Sequence, residues 1–196
     1  MTIAFVLGNG VSRLNIDPDE LKLLGSIYAC NACYRDFIPD YLIAVDSRMV
    51  IELIENNVQK LTEIWTNHSS RYIKFNGIKY FNPSKGWSSG PTALWLASAH
   101  KHSEIFILGF DYQGIENNTK FNNVYAGTKN YKKTHEPPTY YGNWLNQTEQ
   151  VMKSFPDVKY YRVNNSNFVP DWKIPNIEHI NYQEFKKMVK YQNCQF

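Results

Sequence analysis

The chain has 196 residues, a length typical of one domain with a substantial buried core. Its formal net charge is only +3 and its basic residues are dispersed, which excludes the strongly basic surface that nucleic-acid-binding domains normally carry. No stretch reaches the roughly 20 apolar residues that cross a bilayer, and the first apolar run is interrupted at Gly8. We therefore expect one domain, with no nucleic-acid partner and no transmembrane segment.

The predicted elements alternate between strands and helices. The segment Ile3 to Leu7 is a continuous apolar run that ends at glycine, which is typical of a buried parallel strand. Strands are predicted at residues 3–7, 26–30, 41–45, 61–66, 104–108 and 158–163, with one or two more between 72 and 81. Helices are predicted at residues 18–24, 48–55, 92–100, 144–155 and 182–191. This order predicts a single Rossmann-like α/β domain, with a mainly parallel sheet and helices on both faces.

Residues 113–141 form a long polar segment rich in Gly, Asn, Lys and Pro. A loop of this length is unusual inside a compact domain unless it covers or binds something. We predict that it is a lid or binding loop. The alternative is a segment that is disordered in the free protein.

The three cysteines are Cys30, Cys33 and Cys194, of which the first two have C-x-x-C spacing. No second pair follows, and no His lies at zinc-finger spacing, so a zinc site is not expected. A redox pair is the alternative, although the Asn31-Ala32 insert is unlike that of thioredoxin-type motifs. An odd cysteine count without a signal peptide favours a reducing cytoplasm.

Several candidate ligand-binding residues follow predicted strands, where open parallel sheets bind their ligands. The turn Gly8-Asn9-Gly10 follows the first strand, and its glycines would let backbone N–H groups approach an anion. Arg13 replaces the third glycine of a dinucleotide fingerprint, and no Gly-Lys-Ser/Thr follows, so neither that fingerprint nor a P-loop is present. A purely structural tight turn is the alternative.

The segment Ser88 to Thr92 opens the clearest helix of the chain. Free N–H groups and the positive end of the helix dipole at this position suit a phosphate group, and plain N-capping is the alternative. Asp46 and Asp111 each follow a strand, where a carboxylate can hold a ribose hydroxyl or a metal, or can simply form a turn or a cap. In the polar segment, His135 lies near Tyr140 and Tyr141 and is a candidate general base, with plain solvent exposure as the alternative.

Four islands of sequence together resemble a known family. They are Gly8-Asn9-Gly10-x-Ser12, Cys30-Asn31-x-x-Tyr34, Ser89-Gly90, and the strand at 105–108 followed by Gly109-x-Asp111. These islands resemble the bacterial sialyltransferases that decorate lipooligosaccharide, which carry G-N-G-P-S-L, C-N-x-F-Y, a later S-G, and a strand that ends in G-x-D. The start of the chain also resembles, more distantly, the G-x-G-P-S start of the hydroxymethylpterin diphosphokinase group.

The resemblance implies a nucleotide-sugar-binding domain over residues 1–196. It would transfer a sugar from a CMP-sugar donor to a hydroxyl of a glycan or another acceptor, with no metal and no cofactor. The polar segment would be the lid, with tyrosines on the donor phosphate and a His as base. The expected nucleotide-binding residues are Gly8, Asn9, Gly10, Ser12, Asn31, Ser89, Gly90 and Asp111, and the expected catalytic residues are His135, Tyr140 and Tyr141.

The chain also departs from this family. Val11 stands where the family has Pro, and a rough alignment places Tyr140 or Tyr141 nearest to the family's catalytic His, with His135 only nearby. The family chains are longer, so the acceptor region is expected to be reduced here. Two alternatives stay open: a diphosphokinase-like enzyme whose Mg²⁺ is held by carboxylates such as Asp46 or Asp111, and a non-catalytic nucleotide-binding module. The sequence leaves open both a monomer and a homo-oligomer, and its richness in Asn, Lys, Ile and Tyr is typical of a low-GC genome such as that of a phage.

Overall fold

A computed structural model describes residues 2–193, without the side chains of residues 190–193, so Cys194 lies outside the described residues. The strands are β1 (Ile3–Leu7), β2 (Ser26–Cys30), β3 (Tyr41–Ile43), β4 (Glu63–Asn67), β5 (Ile78–Phe81), β6 (Glu104–Leu108), β7 (Lys159–Val163) and β8 (Ile177–Ile180). The helices are α1 (Pro18–Lys22), α2 (Ser47–Glu55), α3 (Ser89–Ala99), α4 (Gly142–Ser154) and α5 (Tyr182–Asn193). These eight strands form one sheet in which every neighbouring pair is parallel, which confirms the predicted α/β fold.

The order of the strands across the sheet is β5-β4-β3-β2-β1-β6-β7-β8. The chain therefore builds outward from β1 to one edge and then returns to pair β6 with the other side of β1, from Ile3 opposite Glu104 to Leu7 opposite Leu108. The loops after β1 and β6 lead away in opposite directions at this point. Such a topological switch point opens a crevice beyond the carboxyl ends of the strands.

Both faces of the sheet are covered, which explains why its central strands are apolar without alternation. On one face, the ring of Phe5 in β1 packs edge-on against Phe185 of α5, with a centroid distance of 6.2 Å. On the other face, Val6 shares a buried cluster with Leu94 of α3 and Val151 of α4. Each fully buried side chain of this size stabilises the fold by about 1.5–3 kcal/mol.

Several boundaries differ from the prediction by one to three residues, and three elements differ in a way that matters for the fold. Helix α3 begins at Ser89 rather than at residue 92, since Pro91 is compatible with a first helical turn. Residues 72–81 contribute one strand, β5, which begins only at residue 78. Strand β8 was not predicted, because its side chains are partly or fully exposed and it lacks the apolar run of a central strand.

The 113–141 segment has little regular structure but is fastened to the rest of the domain. The Val124 N–H donates to the Asn9 carbonyl at 2.8 Å. The Tyr125 hydroxyl donates to Asp36 at 2.7 Å and accepts from Arg13 at 3.0 Å. Arg13 and Asp36 also form an ion pair with each other. The segment thus forms an ordered wall beside the strand ends.

Among the described residues, no helix is both long enough and apolar enough to cross a membrane.

Candidate functional site

A cleft of about 550 Å³ opens at the switch point between β1 and β6. We call it the switch-point cleft. Its walls come from the loops after β1, β2, β3 and β6, the first turn of α3, the 113–141 segment and the start of α4. It brings together seven of the eight residues expected to bind a nucleotide: Gly8, Asn9, Gly10, Asn31, Ser89, Gly90 and Asp111.

The two glycines after β1 allow the β1 and β6 loops to meet. A Cβ at Gly8 would lie 2.6 Å from the Gly109 carbonyl oxygen, and one at Gly10 would lie 2.5 Å from the carboxyl carbon of Asp111. Their N–H groups donate to the Leu108 and Gly109 carbonyls at 2.8 and 2.9 Å. Because both N–H groups are hydrogen-bonded within the protein, they are not available to an anion, and other groups in the cleft would have to bind it.

Asp111 joins three separate parts of the chain. Its carboxylate accepts hydrogen bonds from the N–H and hydroxyl of Ser12, from Asn122 Nδ2 at 3.0 Å and from Asn164 Nδ2 at 2.9 Å. Ser12, the eighth expected residue, therefore lies behind the lining and holds Asp111. With both oxygens engaged by protein donors, Asp111 positions the β1 loop, the 113–141 segment and the β7 loop relative to one another.

Ser89 connects the loops after β2 and β3 instead of capping α3. Its hydroxyl donates to Asn31 Oδ1 at 2.9 Å and accepts from the Val45 N–H at 3.1 Å. Asn31 has a φ of +57°, in the left-handed region that Asn tolerates better than most residues. Because Oδ1 faces Ser89, the Nδ2 group of Asn31 is left without an acceptor among the described residues and is available to a ligand.

The N-terminus of α3 supplies the cleft with free backbone donors. The N–H groups of Ser89 and Gly90 precede the first residue with a helical acceptor, Thr92, so they have no partner inside the helix. Gly90 lets the helix approach Phe110, since a Cβ there would lie 3.2 Å from the ring. Among the described residues that line the cleft there is no Lys, Arg or His. The positive end of the helix dipole is therefore the main attraction for an anion.

Asn9 carries an unsatisfied polar atom in the cleft wall. The residue is only 8% exposed, and its Nδ2 donates to the Cys30 carbonyl at 3.2 Å and to the Tyr131 hydroxyl at 3.4 Å. Its Oδ1 is buried and has no hydrogen-bond partner among the described residues. A buried acceptor in this state costs about 1–3 kcal/mol. A ligand that donates a hydrogen bond here would remove that cost.

The three expected catalytic residues lie in different surroundings. Tyr141 lines the cleft, and its hydroxyl is buried next to the Asn122 backbone without a hydrogen bond of normal geometry. Burial raises the pKa of Tyr141, so the hydroxyl stays neutral and can donate. His135 and Tyr140 are exposed and do not line the cleft. The structure thus brings Tyr141 together with the nucleotide-binding set and leaves His135 and Tyr140 outside it.

Cys30, which lines the cleft, and Cys33 are buried free thiols. Burial raises the pKa of Cys30 to about 12 and that of Cys33 well above its ordinary value. Because the thiolate is the reactive form, these side chains suit packing better than redox chemistry.

Amide and aromatic side chains that the sequence pattern did not single out complete the lining. Most of them lie in polar stretches whose sequence is typical of a solvated loop. Trp144 and Gln147 are the exception, because their spacing of three residues places them on one face of α4 and could have indicated a shared site. The missed amide and aromatic lining residues are Trp87, Tyr112, Gln113, Asn122, Asn123, Asn143, Trp144 and Gln147.

No group of three or more His, Cys, Asp or Glu among the described residues is arranged to hold a metal ion. Comparisons of the chain with protein-family models, with curated proteins and with solved structures found no match. The fold and the cleft define the class of protein: a Rossmann-like α/β domain with an amide-lined cleft at the switch point of a parallel sheet.

Proposed function

We propose that this chain is a sialyltransferase-like glycosyltransferase. It binds a CMP-sugar in the switch-point cleft and transfers the sugar to a hydroxyl of a glycan or another acceptor without a metal. One observation carries the proposal: the first turn of α3 with its free N–H groups, Asn31 with its unpaired Nδ2 and Asn9 with its unpaired, buried Oδ1 all line the same cleft. A phosphate needs N–H donors and a hydroxyl-rich nucleoside needs amide groups, and a nucleotide needs both next to each other.

The phosphate of the donor binds at the first turn of α3. The N–H groups of Ser89 and Gly90 donate to its oxygens, and the helix dipole stabilises its negative charge. Tyr141 adds a neutral hydroxyl donor. The absence of Lys and Arg from the described lining suits a single phosphate better than a triphosphate.

The nucleoside binds against the amide and aromatic wall. Asn9 Oδ1 accepts a hydrogen bond from a ribose hydroxyl or a base amino group, and Asn31 Nδ2 donates one. Trp87 and Trp144 offer apolar surfaces with a polar edge, which is what a half-wet sugar or base requires. The volume of the cleft, about 550 Å³, falls within the usual range for small-ligand sites.

In the transfer, an acceptor oxygen bonds to the anomeric carbon of the sugar while the bond from that carbon to the phosphate oxygen breaks. The bonding electron pair leaves with CMP, and the acceptor hydroxyl gives its proton to a base at the cleft. The N–H donors of α3 strengthen their contact as this charge develops, and strengthening of that kind lowers the barrier. His135 and Tyr140 act in this step only if the 113–141 segment moves them to the cleft.

Thermal stability of the full chain against CMP, CDP, UDP, GDP, ATP and NAD, with and without Mg²⁺, tests the proposal. We expect CMP to raise the melting temperature equally with and without Mg²⁺. A ligand at about 100 times its dissociation constant adds about 2.7 kcal/mol to the free energy of unfolding. Release of CMP from CMP-sialic acid, with water as acceptor, then tests turnover. No shift with any nucleotide would refute the nucleotide site.

The two alternatives predict different results. A non-catalytic module, which the lack of a His in the described lining favours, would bind CMP without turning over the CMP-sugar. A diphosphokinase would be stabilised by ATP only when Mg²⁺ is present. Asp111 is poorly suited to hold that Mg²⁺, because both of its carboxylate oxygens already accept hydrogen bonds from the protein. The proposal includes a cytoplasmic location, which the two buried free thiols support.

A further inference from the structure

The cleft contains few groups that could accept a proton. Its ionisable lining residues, within the described part of the chain, are Cys30, Asp46, Asp111, Tyr112 and Tyr141. A sugar acceptor hydroxyl must lose its proton during transfer, and a general base in contact with that hydroxyl accelerates the step. The identity of the base can therefore be sought by elimination among these five side chains.

Burial removes three of the five. The Cys30 thiol, with a pKa raised to about 12, donates to the Leu7 carbonyl at 3.6 Å. Burial also raises the pKa of Tyr112, whose hydroxyl donates to Thr148 at 2.7 Å, and that of Tyr141. All three groups hold their protons at neutral pH.

Asp111 is removed by its hydrogen bonds. Its two oxygens accept from Ser12, Asn122 and Asn164, and the residue is 6% exposed. A proton placed on this carboxylate would displace at least one of those donors, each of which holds a different loop in place.

Asp46 is the carboxylate that remains. It follows β3 and occupies the N-cap position of α2, yet its side chain makes no capping hydrogen bond. The residue is exposed, and its carboxylate has neither a hydrogen bond nor an ion pair with the described residues. The neighbouring Val45 N–H is held at 3.1 Å by Ser89, whose hydroxyl also orients Asn31. The Asp46 carboxylate is therefore one residue away from Val45, which is hydrogen-bonded to the proposed donor-binding groups.

We propose that Asp46 is the general base of the transfer reaction, a role that rests on the proposed function. The Asp46 carboxylate takes the proton of the acceptor hydroxyl as its oxygen bonds to the anomeric carbon. The bond between that carbon and the phosphate oxygen breaks, and its electron pair leaves on CMP. The proton ends on Asp46 and passes to solvent after the product departs. No oxidant, reductant or metal enters this balance.

The test compares wild-type protein with Asp46→Asn and Asp46→Ala, using release of CMP from CMP-sialic acid with water as acceptor. We expect both variants to lose about 10²–10⁴-fold in kcat. Their affinity for CMP, measured by calorimetry, should stay near that of wild type. Formate, a small carboxylate, should restore turnover to Asp46→Ala in proportion to its concentration, because it can occupy the space of the missing side chain. Asp157→Asn is the matched control, since Asp157 is an exposed carboxylate at the opposite end of the sheet.

Each result has one meaning. Loss of turnover with retained CMP affinity and rescue by formate supports the proposal. Turnover by Asp46→Asn at the wild-type rate overturns it while leaving the proposed function intact. Wild-type activity that a chelator abolishes would contradict the metal-free transfer on which the role of Asp46 rests. Absence of CMP release from wild-type protein that binds CMP would instead refute the transferase function itself.

Discussion

Ser89 shows how one hydroxyl can organise a binding site without touching the ligand through that hydroxyl. It donates to Asn31 and accepts from the Val45 N–H, so it fixes which end of the Asn31 amide is left for a ligand. An Asn side chain that is free to flip would present its oxygen and its nitrogen with similar frequency. A fixed amide distinguishes donors from acceptors on the ligand, which is a source of specificity.

We predict that Ser89→Ala weakens CMP binding about 3–10-fold, the equivalent of one net hydrogen bond. The substitution leaves Asn31 Oδ1 and the Val45 N–H without their partner. Calorimetric titration with CMP measures the effect. Ser154→Ala is the matched control, because Ser154 is exposed at the end of α4 and does not line the cleft, so this variant should bind CMP as wild type does. Equal affinities for Ser89→Ala and wild type would mean that the Asn31 amide, as Ser89 orients it, does not contribute to CMP binding.

At the scale of elements, the 113–141 segment depends on buried tyrosines rather than on secondary structure. The Tyr125 hydroxyl lies between Asp36 and Arg13, and the Tyr125 ring lies 5.5 Å from the Arg13 guanidinium carbon. Burial raises the pKa of Tyr125, so this hydroxyl remains a donor. The segment is therefore held by a few specific contacts, and each of them can be removed on its own.

We predict that Tyr125→Phe loosens the 113–141 segment and lowers the free energy of unfolding by about 1–3 kcal/mol, because partners of the lost hydroxyl stay buried. Limited trypsin digestion reads the loosening directly, since Lys129, Lys132 and Lys133 lie in the segment. Cleavage there should be faster in the variant. Tyr140→Phe, in the same segment but 76% exposed, should digest like wild type. Equal rates for all three proteins would show that the Tyr125 contact does not hold the segment.

The sequence predicted the strands that are buried on both faces, placed the edge strand β5 only within residues 72–81, and missed the other edge strand, β8. Strands β1 and β6 have continuous apolar runs because helices cover them on both sides. Strand β8, at the edge of the sheet, has no such pattern. The site followed the same rule: residues at the carboxyl ends of parallel strands were predictable, because topology brings those ends together. The partners of Asp111 were not, since Asn122 and Asn164 lie 11 and 53 residues away, in loops whose path depends on packing.

At the scale of the whole molecule, the ends of the sheet have different chemistry. The carboxyl ends carry the cleft, which lacks His among its described residues. Near the amino ends, the buried Tyr28 hydroxyl bonds to His100 Nδ1 at 2.7 Å and to His102 Nε2 at 3.0 Å. Burial lowers the pKa of both imidazoles. Protonation there affects the folded state as a whole and is separate from chemistry in the cleft.

The sign of the resulting pH dependence follows from linkage. A His with a lowered pKa in the folded state binds its proton more readily in the unfolded state, so acid favours unfolding. The stabilisation is complete above the unfolded pKa of about 6.5 and declines as the pH falls below it. We therefore predict that the free energy of unfolding is constant from about pH 8 to pH 7 and decreases towards pH 5. Urea denaturation across this range measures it.

The double variant His100→Gln, His102→Gln assigns this slope to the pair. Glutamine keeps hydrogen-bonding groups near Tyr28 but does not titrate, so the variant should lose most of the decrease between pH 7 and pH 5. A smaller slope should persist, because burial also lowers the pKa of His179. If the double variant instead follows the wild-type curve, the acid sensitivity arises elsewhere, and the His100–Tyr28–His102 cluster contributes only to packing.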